Sequence, residues 1–369
     1  MTKEEIIKMQ ISRVEKEIRD TPYDKASEHH HGRLKAKLSK LKDDLYGVST
    51  GGGGGGLNYA IKHSGDATAV LVGLPSVGKS TLLNKLTNAE SKVGNYDFTT
   101  LGVVPGMMNY KGVKVQILDL PGIVEGASKN KGFGKKVLSV IRASNMIILI
   151  SDVDRLNWFS KMEMELYASG IRYNVSRPKI DIRKSDRGSI RVINPYGGLS
   201  TETVIDVCKE MGINNAVVNF GEKITDVDKL IDVLTKSRVY LPLIKVISKV
   251  DGLSQGKKNE VLKFASQNDC VILSAIDGFG IDKFKEMVWE KLGLVRVYLK
   301  RDRSKPADKV EPLIIGSNKT LVSVVEKISN EMGEDVKSAY IWGNKARFAG
   351  QKVSFNYPVF DEMEVWFGR

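Results

Sequence analysis

The run GLPSVGKST at residues 73–81 decides the fold of this chain. It fits the pattern G-x-x-x-x-G-K-S/T and follows an apolar segment at residues 68–72, which predicts a strand. In such a loop, glycines allow backbone N–H groups to turn toward phosphate oxygens. Lys79 is expected to reach the terminal phosphates, and the hydroxyl of Ser80 suits a Mg²⁺ ligand. The sequence therefore predicts a phosphate-binding loop between a strand and a helix.

Two further motifs follow in the order that a GTPase requires. Residues 119–122 read DLPG and fit D-x-x-G, in which Asp119 holds Mg²⁺ through water and the N–H of Gly122 meets the γ-phosphate. Upstream, FTTL at residues 98–101 lies in a polar stretch where a threonine hydroxyl would reach the metal. We assign that role to Thr100, with Thr99 as the alternative. The predicted metal ligands are Ser80, Thr100 and Asp119, and the predicted catalytic residues are Lys79, Thr100 and Gly122.

Base choice is predicted from SKVD at residues 248–251, which resembles N/T-K-x-D. The carboxylate of Asp251 accepts from both the ring N–H and the exocyclic amine of guanine, and adenine offers no such pair of donors. The stem of Lys249 is expected to lie along the base. Ser248 departs from the usual asparagine, and because serine is shorter it replaces only part of the bridging role of that residue.

Ser274 and Ala275 fit the last base-contacting loop, in which a backbone N–H meets the guanine carbonyl. The motifs together predict GTP or GDP with Mg²⁺ as the bound group. The full set of predicted nucleotide contacts is Gly73, Pro75, Ser76, Val77, Gly78, Lys79, Ser80, Thr81, Thr100, Asp119, Gly122, Ser248, Lys249, Asp251, Ser274 and Ala275.

Composition and charge agree with a protein of the cytoplasm that meets a polyanion. The length of 369 residues predicts two to three domains, and the net charge of +13 points to RNA. The two cysteines, Cys208 and Cys270, lie far apart in apolar runs and are expected to be buried free thiols. The sequence shows no secretory signal and no apolar run of bilayer length, so we expect no membrane partner.

The positive charge is concentrated in two loop-like regions. Clusters of this kind neutralise phosphates without reading base sequence, and a solvated basic face is the alternative interpretation. The first cluster comprises Arg172, Arg177, Lys179, Arg183, Lys184, Arg187 and Arg191; the second comprises Lys300, Arg301, Arg303, Lys305 and Lys309.

Helical periodicity marks the N-terminal region. Apolar residues spaced 4, 3, 4 in residues 7–18 and again in residues 34–45 predict an amphipathic helical hairpin. The hairpin could pair with a second copy, dock on the GTPase domain or meet a partner helix. Three adjacent histidines at residues 29–31 cannot all face one metal ion on a helix. Six glycines at residues 51–56 predict a flexible linker.

Strands and helices alternate from residue 68 onward, which predicts an α/β fold: a Ras-like P-loop GTPase domain with a mixed, mostly parallel sheet. About ninety residues separate the strand at 146–150 from the strand at 243–247, far more than one crossover needs, so most of that stretch is an insertion. The predicted division is 1–50 helical hairpin, 51–66 linker, 67–170 and 241–293 GTPase domain, 171–240 inserted small α+β domain, and 294–369 β-grasp domain.

The motifs together resemble one known family. GLPSVGKST, YDFTTLGVVPG at residues 96–106, LDLPGIVEGA at residues 118–127 and SKVD, between a hairpin with a glycine run and a β-grasp end, resemble the developmentally regulated GTP-binding proteins (DRG), a branch of the Obg-related GTPases. An archaeal-type member is expected. The resemblance covers essentially the whole chain. It implies a C-terminal β-grasp of the TGS type, a translation-associated GTPase that contacts ribosomes, and a stabilising protein partner; no DNA partner is expected.

The residue after the D-x-x-G glycine, where many GTPases place a glutamine that orients water, is Ile123. Isoleucine cannot orient water by hydrogen bonding, so turnover is expected on the order of 10⁻⁴ to 10⁻² s⁻¹ by analogy with unactivated GTPases. K⁺ is a further candidate cofactor, although Ser76 stands where related K⁺-using GTPases carry asparagine.

Three functions are compatible with these features. The favoured one is a GTP-hydrolysing switch that acts on ribosomes or RNA in translation. The second is an RNA-binding scaffold whose nucleotide is mainly structural. The third is an Obg-like ribosome-assembly GTPase or ATPase, and SKVD argues against ATP.

Overall fold

The computed structural model describes residues 2–24, 27–46, 64–87, 104–120, 135–235, 237–332 and 336–368. The predictions at residues 51–56, Thr99, Thr100, Gly122 and Ile123 lie outside these ranges. The chain divides into two compact units. The first unit comprises Met1–Ala60, Lys131–Arg142 and Asn157–Leu241, and the second comprises Ile61–Asn130, Ala143–Leu156 and Pro242–Arg369.

Helices and strands alternate along most of the chain. Within the described ranges, none of the helices is long and apolar enough to cross a bilayer. In chain order the elements are α1 (Lys3–Asp20), α2 (Glu28–Tyr46), β1 (Ala67–Gly73), α3 (Lys79–Leu86), β2 (Val104–Tyr110), β3 (Val113–Asp119), α4 (Lys135–Ala143), β4 (Met146–Asp152), α5 (Trp158–Ala168), β5 (Ile171–Tyr173), β6 (Ile180–Lys184), β7 (Ile190–Ile193), α6 (Thr201–Glu210), β8 (Ala216–Phe220), α7 (Val227–Leu234), β9 (Val239–Leu241), β10 (Leu243–Ser248), α8 (Gln255–Gln267), β11 (Cys270–Ile272), α9 (Ile281–Leu292), β12 (Leu294–Leu299), β13 (Leu313–Gly316), α10 (Leu321–Met332), β14 (Ser338–Trp342), β15 (Gln351–Val353) and β16 (Met363–Gly368).

A six-stranded sheet forms the centre of the second unit, in the order β11-β10-β4-β1-β3-β2. The first five strands of that order run parallel, and β2 pairs antiparallel with β3. Strands β1 and β4 are buried along their whole length, which is why both read as continuous apolar runs rather than alternating ones. The mixed, mostly parallel sheet predicted for the GTPase domain is therefore confirmed.

The parallel strands bring the predicted motifs to one edge of this sheet. Gly73 ends β1, Asp119 ends β3 and Ser248 ends β10. Because carboxyl ends of parallel strands lie at the same edge, residues separated by up to 175 positions approach one another. Beneath the phosphate loop, Val77 and Leu82 belong to an apolar core that also contains Phe284 of α9.

The insertion is a small module with its own core, built on the three-stranded sheet β6-β8-β7. Its ends are joined, since β5 and β9 pair in parallel with Ile171 opposite Val239. The first and last strands of the inserted segment therefore lie next to each other. Strand β8 lies at the centre of the module's sheet, and helices α6 and α7 complete the mixed α and β composition predicted for this segment.

The N-terminal hairpin packs against the inserted module within the first unit. Ala36 of α2 is fully buried in the same apolar core as Val204 and Leu230 of the module. Gly32 permits this approach, because a Cβ at that position would lie 2.9 Å from Cγ2 of Val207 on α6. At the hairpin turn, Nε2 of the buried His31 lies 3.0 Å from the carbonyl oxygen of Thr21.

A buried ion network ties α2 to the module. Arg172 lies 8% exposed, and its Nε and Nη2 donate to the two oxygens of Asp232 at 2.6 and 2.7 Å. Arg238 donates to the same carboxylate at 3.0 Å and to Asp43 of α2 at 2.6 Å. The prediction that Arg172 belongs to an RNA-facing cluster is therefore wrong, because its guanidinium group is buried in an ion pair with Asp232.

The cysteines divide between two environments. Cys208 is fully buried on α6, and burial raises the pKa of its thiol to about 11. Cys270 is only half-buried at the start of β11, so the prediction of two buried thiols is correct for Cys208 and wrong for Cys270.

A five-stranded sheet follows α9, in the order β13-β12-β16-β14-β15. Its first and last strands, β12 and β16, pair in parallel at the centre, and the other pairs are antiparallel. Helix α10 covers one face through Leu321, Val324 and Ile328. The opposite face carries Tyr340, Trp342 and Trp366 in half-buried positions.

Candidate nucleotide site

The phosphate loop has the backbone conformation that its glycines predict. A Cβ on Gly73 would lie 2.5 Å from the carbonyl oxygen of Ile150 on β4, so only glycine allows the two strands this approach. Gly78, at the N-terminus of α3, has φ +92°, in the left-handed region that favours glycine. Ser76 has φ +63°, an uncommon value for a residue with a side chain. Such strain persists where neighbouring groups hold the backbone.

Lys79 lies inside the loop rather than in solvent. It is 8% exposed, and its Nζ donates to the carbonyl oxygens of Gly73 and Leu74, each at 3.0 Å. Burial lowers the pKa of Lys79, the nearby carboxylate of Asp119 opposes that change, and Arg155 adds to it. The ammonium group is therefore held where phosphate oxygens approach the loop.

Ser80 and Asp119 place two side-chain oxygen atoms next to each other. The hydroxyl of Ser80 donates to Oδ2 of Asp119 at 3.1 Å, and Asp119 is 1% exposed. Its other oxygen, Oδ1, is buried and has no hydrogen-bond partner among the described residues. Burial raises the pKa of Asp119, while Lys79 and the Ser80 hydroxyl act in the opposite direction. A buried carboxylate oxygen without a partner beside a hydroxyl fits a hard cation such as Mg²⁺.

Ser248 connects the end of β10 to the phosphate loop. Its Oγ lies 2.5 Å from the carbonyl oxygen of Val77 and 3.1 Å from that of Ser151, and the residue is 3% exposed. The serine side chain therefore reaches the phosphate loop despite its length. The sequence analysis expected serine to replace only part of the bridging role of asparagine. Directly after it, Lys249 turns the chain out of β10 with φ +58°.

Asp251 and Ser274 lie side by side at the end of the sheet. The hydroxyl of Ser274 donates to Oδ1 of Asp251 at 2.9 Å, which fixes the orientation of an otherwise exposed carboxylate. The N–H of Ser274 donates to the carbonyl oxygen of Phe279 at 3.0 Å. Ala275, the next residue, is half-buried against the core. The sequence analysis assigned Ser274 only a backbone contact and did not foresee that its hydroxyl holds Asp251.

A cavity of about 320 Å³ opens beside these two residues. Apart from Asp251 and Ser274 its walls are mostly apolar, with Val261 and Leu262 from α8 and the exposed ring of Phe279. The phosphate loop does not border it.

The structure thus places the predicted loop residues around one edge of the sheet. Pro75, Ser76, Ser80 and Thr81 are exposed there and Val77 is buried. Thr100 and Gly122 lie outside the described residues.

The sequence analysis missed one pair at this edge. Arg155, in the turn after β4, donates from Nη1 to the carbonyl oxygen of Pro75 at 3.3 Å and is bound to Asp152. No motif pattern marks either residue, and only the topology reveals that this turn reaches the loop.

The fold and the loop define a P-loop GTPase. Residues 68–180 match a family model described as a 50S ribosome-binding GTPase, and residues 187–294 match a model of the C-terminal region of the same domain. The chain belongs to the developmentally regulated GTP-binding proteins, a family of Obg-related GTPases.

Three relatives illustrate this membership. An uncharacterised GTP-binding protein from Methanocaldococcus jannaschii is 43% identical, over 96% of this chain and 91% of the relative. Developmentally-regulated GTP-binding protein 1 from Xenopus laevis and ribosome-interacting GTPase 1 from Saccharomyces cerevisiae are each 38% identical, over 95% of this chain and 96% of the relative. Among solved structures, the YchF GTPase of Schizosaccharomyces pombe has a TM-score of 0.46 at 13% identity, over 83% of this chain and 99% of that one.

Proposed function

We propose that this GTPase is a GTP-dependent switch that acts on ribosomes and RNA in translation, in the cytoplasm. The observation that carries the proposal is the presence of exposed basic surfaces in both units of the chain. The name of the yeast relative, ribosome-interacting GTPase 1, points in the same direction. Lys and Arg clusters bind polyanions through phosphate neutralisation and give affinity that falls with salt.

The first basic surface belongs to the sheet β6-β8-β7. Arg183 and Arg191 flank the same residue of the central strand, Val217, so both lie on one face of the sheet. Arg183 forms an ion pair with Asp181 at 2.8 Å, and both side chains remain largely exposed to solvent. The exposed members of this surface are Arg177, Lys179, Arg183, Lys184, Arg187 and Arg191.

The second basic surface follows β12. Arg303 lies with its guanidinium 4.2 Å from the ring centre of Tyr340, and a fixed cation on an aromatic ring suits stacking of unpaired bases. Lys300 departs from the predicted cluster, because its Nζ lies 4.3 Å from the ring centre of Trp342 and 3.6 Å from Glu364, with the side chain 6% exposed. The exposed members are Arg301, Arg303, Lys305 and Lys309.

The nucleotide site is assigned as follows. Gly73 to Thr81 bind the phosphates, with Lys79 on the terminal ones, and Asp251 reads guanine while Ser274 fixes its carboxylate. Because the N–H of Ser274 is engaged by Phe279, we assign the contact to the guanine carbonyl to the N–H of Ala275.

Ser80 and Asp119 would hold Mg²⁺, with Thr100 as a third ligand by motif. When bound, Mg²⁺ neutralises charge that develops on the transferred phosphoryl group. The remaining charge stabilisation comes from Lys79, from the backbone N–H groups of the phosphate loop and, by motif, from the N–H of Gly122. With Ile123 in place of glutamine, intrinsic hydrolysis is slow, and ribosome, RNA, K⁺ or a protein partner supplies the missing positioning of water.

The finer architecture is part of the proposal. The five-stranded sheet with parallel β12 and β16 is the TGS-type β-grasp at residues 294–369. The inserted module at 171–240 and the hairpin at 1–50 are domains separate from the GTPase domain at 67–170 and 241–293, with 51–66 as the linker.

Sedimentation of the protein with ribosomes tests the switch. The protein is mixed with ribosomes in the presence of a non-hydrolysable GTP analogue, GDP or no nucleotide, at two salt concentrations. A switch requires affinity for ribosomes to differ between GTP and GDP states, since a ligand with equal affinity for both states shifts neither. Binding that is salt-sensitive but independent of nucleotide would instead identify the scaffold.

A further inference from the structure

Arg155 forms a hydrogen bond to the backbone of the phosphate loop. Its Nε donates to both carboxylate oxygens of Asp152 at 3.0 and 3.2 Å, and its Nη2 also donates to Asp152. The remaining arm, Nη1, donates to the carbonyl oxygen of Pro75 at 3.3 Å. One guanidinium group thus joins the end of β4 to the phosphate loop.

The pair is anchored on the sheet side. Asp152 is the last residue of β4 and is 7% exposed. Hydrogen bonding from Arg155 lowers the pKa of Asp152, so the ion pair remains formed at neutral pH. The turn is closed by the hydroxyl of Ser151, which donates to the carbonyl oxygen of Arg155 at 3.0 Å.

On the loop side, the contact falls next to the strained residue. Ser76, with φ +63°, lies between Pro75 and Val77. The carbonyl of Pro75 accepts from Arg155, and the carbonyl of Val77 accepts from Ser248. Side-chain donors therefore hold the backbone on both sides of Ser76, which is what a left-handed residue other than glycine requires in order to persist.

We propose that Arg155 is a positioning residue of the nucleotide site, which fixes the phosphate loop by joining Pro75 to Asp152. The inference rests on the nucleotide-site assignment proposed above and is independent of ribosome binding. Asp152 serves as its anchor. Arg155 lies in the turn after β4, a strand that none of the sequence motifs occupies.

The test uses the full-length protein and isothermal titration with GDP and a non-hydrolysable GTP analogue, in Mg²⁺. Arg155→Gln retains a donor for Pro75 but removes the charge, and Arg155→Lys retains the charge but loses the fork that binds Asp152. Lys257→Gln is the matched control, because Lys257 is an exposed cation 3.8 Å from Asp154 of the same turn. Circular dichroism establishes that each variant is folded.

Arg155→Gln and Arg155→Lys should each weaken the GTP analogue and GDP by a similar factor of about 10-fold, the size usual for one coupled interaction, because neither side chain can bond Asp152 and Pro75 together. Lys257→Gln should change neither affinity.

Unchanged affinities for both nucleotides in Arg155→Gln would overturn the role. If Arg155→Gln does not fold, Arg155→Lys decides, because wild-type affinities in that folded variant would contradict the proposal. Failure of the ribosome proposal appears only in the sedimentation experiment, so the two are distinguishable.

Discussion

The hydroxyl of Ser248 lies 2.5 Å from the carbonyl oxygen of Val77, so the end of β10 is joined directly to the phosphate loop. The same hydroxyl lies 3.1 Å from the carbonyl oxygen of Ser151 at the end of β4. One proton can serve only one of these acceptors well at a time. The serine therefore makes the connection to the loop with less hydrogen-bonding capacity than an asparagine has.

Ser248→Ala removes this tie and leaves buried carbonyl oxygens without their donor. The free energy of unfolding should fall by about 1–2 kcal/mol, the usual cost of an unmade buried hydrogen bond. Affinity for GDP should fall several-fold, because the loop loses one support. Chemical denaturation and GDP titration measure both effects. Ser266→Ala is the control, since Ser266 bonds only within exposed α8; equal effects from both variants would contradict the assignment.

Asp251→Asn should change which base is bound. The amide NH₂ would face the two donors of guanine, so affinity for GTP should fall by about 100-fold or more, while XTP, whose xanthine carries an oxygen in place of the amine, should gain. Competition among GTP, ATP and XTP measures the change. Asp277→Asn is the matched control, because Asp277 is exposed near Ser274 and binds its hydroxyl through the backbone N–H. Unchanged preference for GTP would refute the role of Asp251.

The raised pKa of Asp119 predicts a pH dependence. A carboxyl whose pKa is raised in the folded state stabilises the fold fully below the unfolded pKa of 3.8, and that contribution is lost as pH rises through the folded value. In nucleotide-free protein, Asp119→Asn should therefore flatten the decline of unfolding free energy in this acidic window. Mg²⁺ needs the ionised carboxylate, so Mg²⁺ affinity of the wild type should fall as pH is lowered through the same window.

Denaturation at several pH values, with and without Mg²⁺ and GDP, tests both parts. Stabilisation by Mg²⁺ that survives Asp119→Asn would show that the metal binds elsewhere.

Gly32→Ala should separate the hairpin from the inserted module. Alanine normally stabilises a helix by about 1 kcal/mol relative to glycine. Here the new Cβ would lie 2.9 Å from Cγ2 of Val207, so overpacking should outweigh that gain and cost about 1–3 kcal/mol. Gly256 of α8 has no atom within 4 Å of the equivalent Cβ, and Gly256→Ala should stabilise instead. Thermal unfolding compares the two, and stabilisation by both would contradict the packing.

The paired arginines on β6 and β7 should carry part of the ribosome affinity. Reversing both, Arg183→Glu with Arg191→Glu, should weaken sedimentation with ribosomes and reduce the slope of log affinity against log salt by about 1–2, since each phosphate contact contributes roughly 0.7–0.9. Lys161→Glu with Lys209→Glu, exposed lysines of α5 and α6, gives the charge-matched control. Equal losses in the two double variants would indicate a response to net charge alone.

The sequence predicted the order of the sheet motifs because the phosphate loop, D-x-x-G and SKVD each consist of a few fixed residues at the end of a buried strand. Helix α8 was missed, since only Val261 and Ala265 of its 13 residues are buried and the apolar periodicity is weak. Residues that act through tertiary contacts escaped for another reason. Arg155 belongs to no motif, and the motif that contains Ser274 concerns only its backbone. The contacts of both side chains depend on which turns the parallel strands place next to each other. Arg172 and Lys300 look like surface charges until their buried carboxylate and aromatic partners are seen.

The packing of α2 against α6 and α7 also has a consequence for synthesis of the chain. The core that receives Ala36 is completed by Leu230 and Val233, almost 200 residues later. At a translation rate of about 5–20 residues per second, α1 and α2 wait roughly ten to forty seconds after emergence for their docking surface. During that interval Leu34 and Ala36, buried in the finished fold, remain open to chaperones or to other nascent chains.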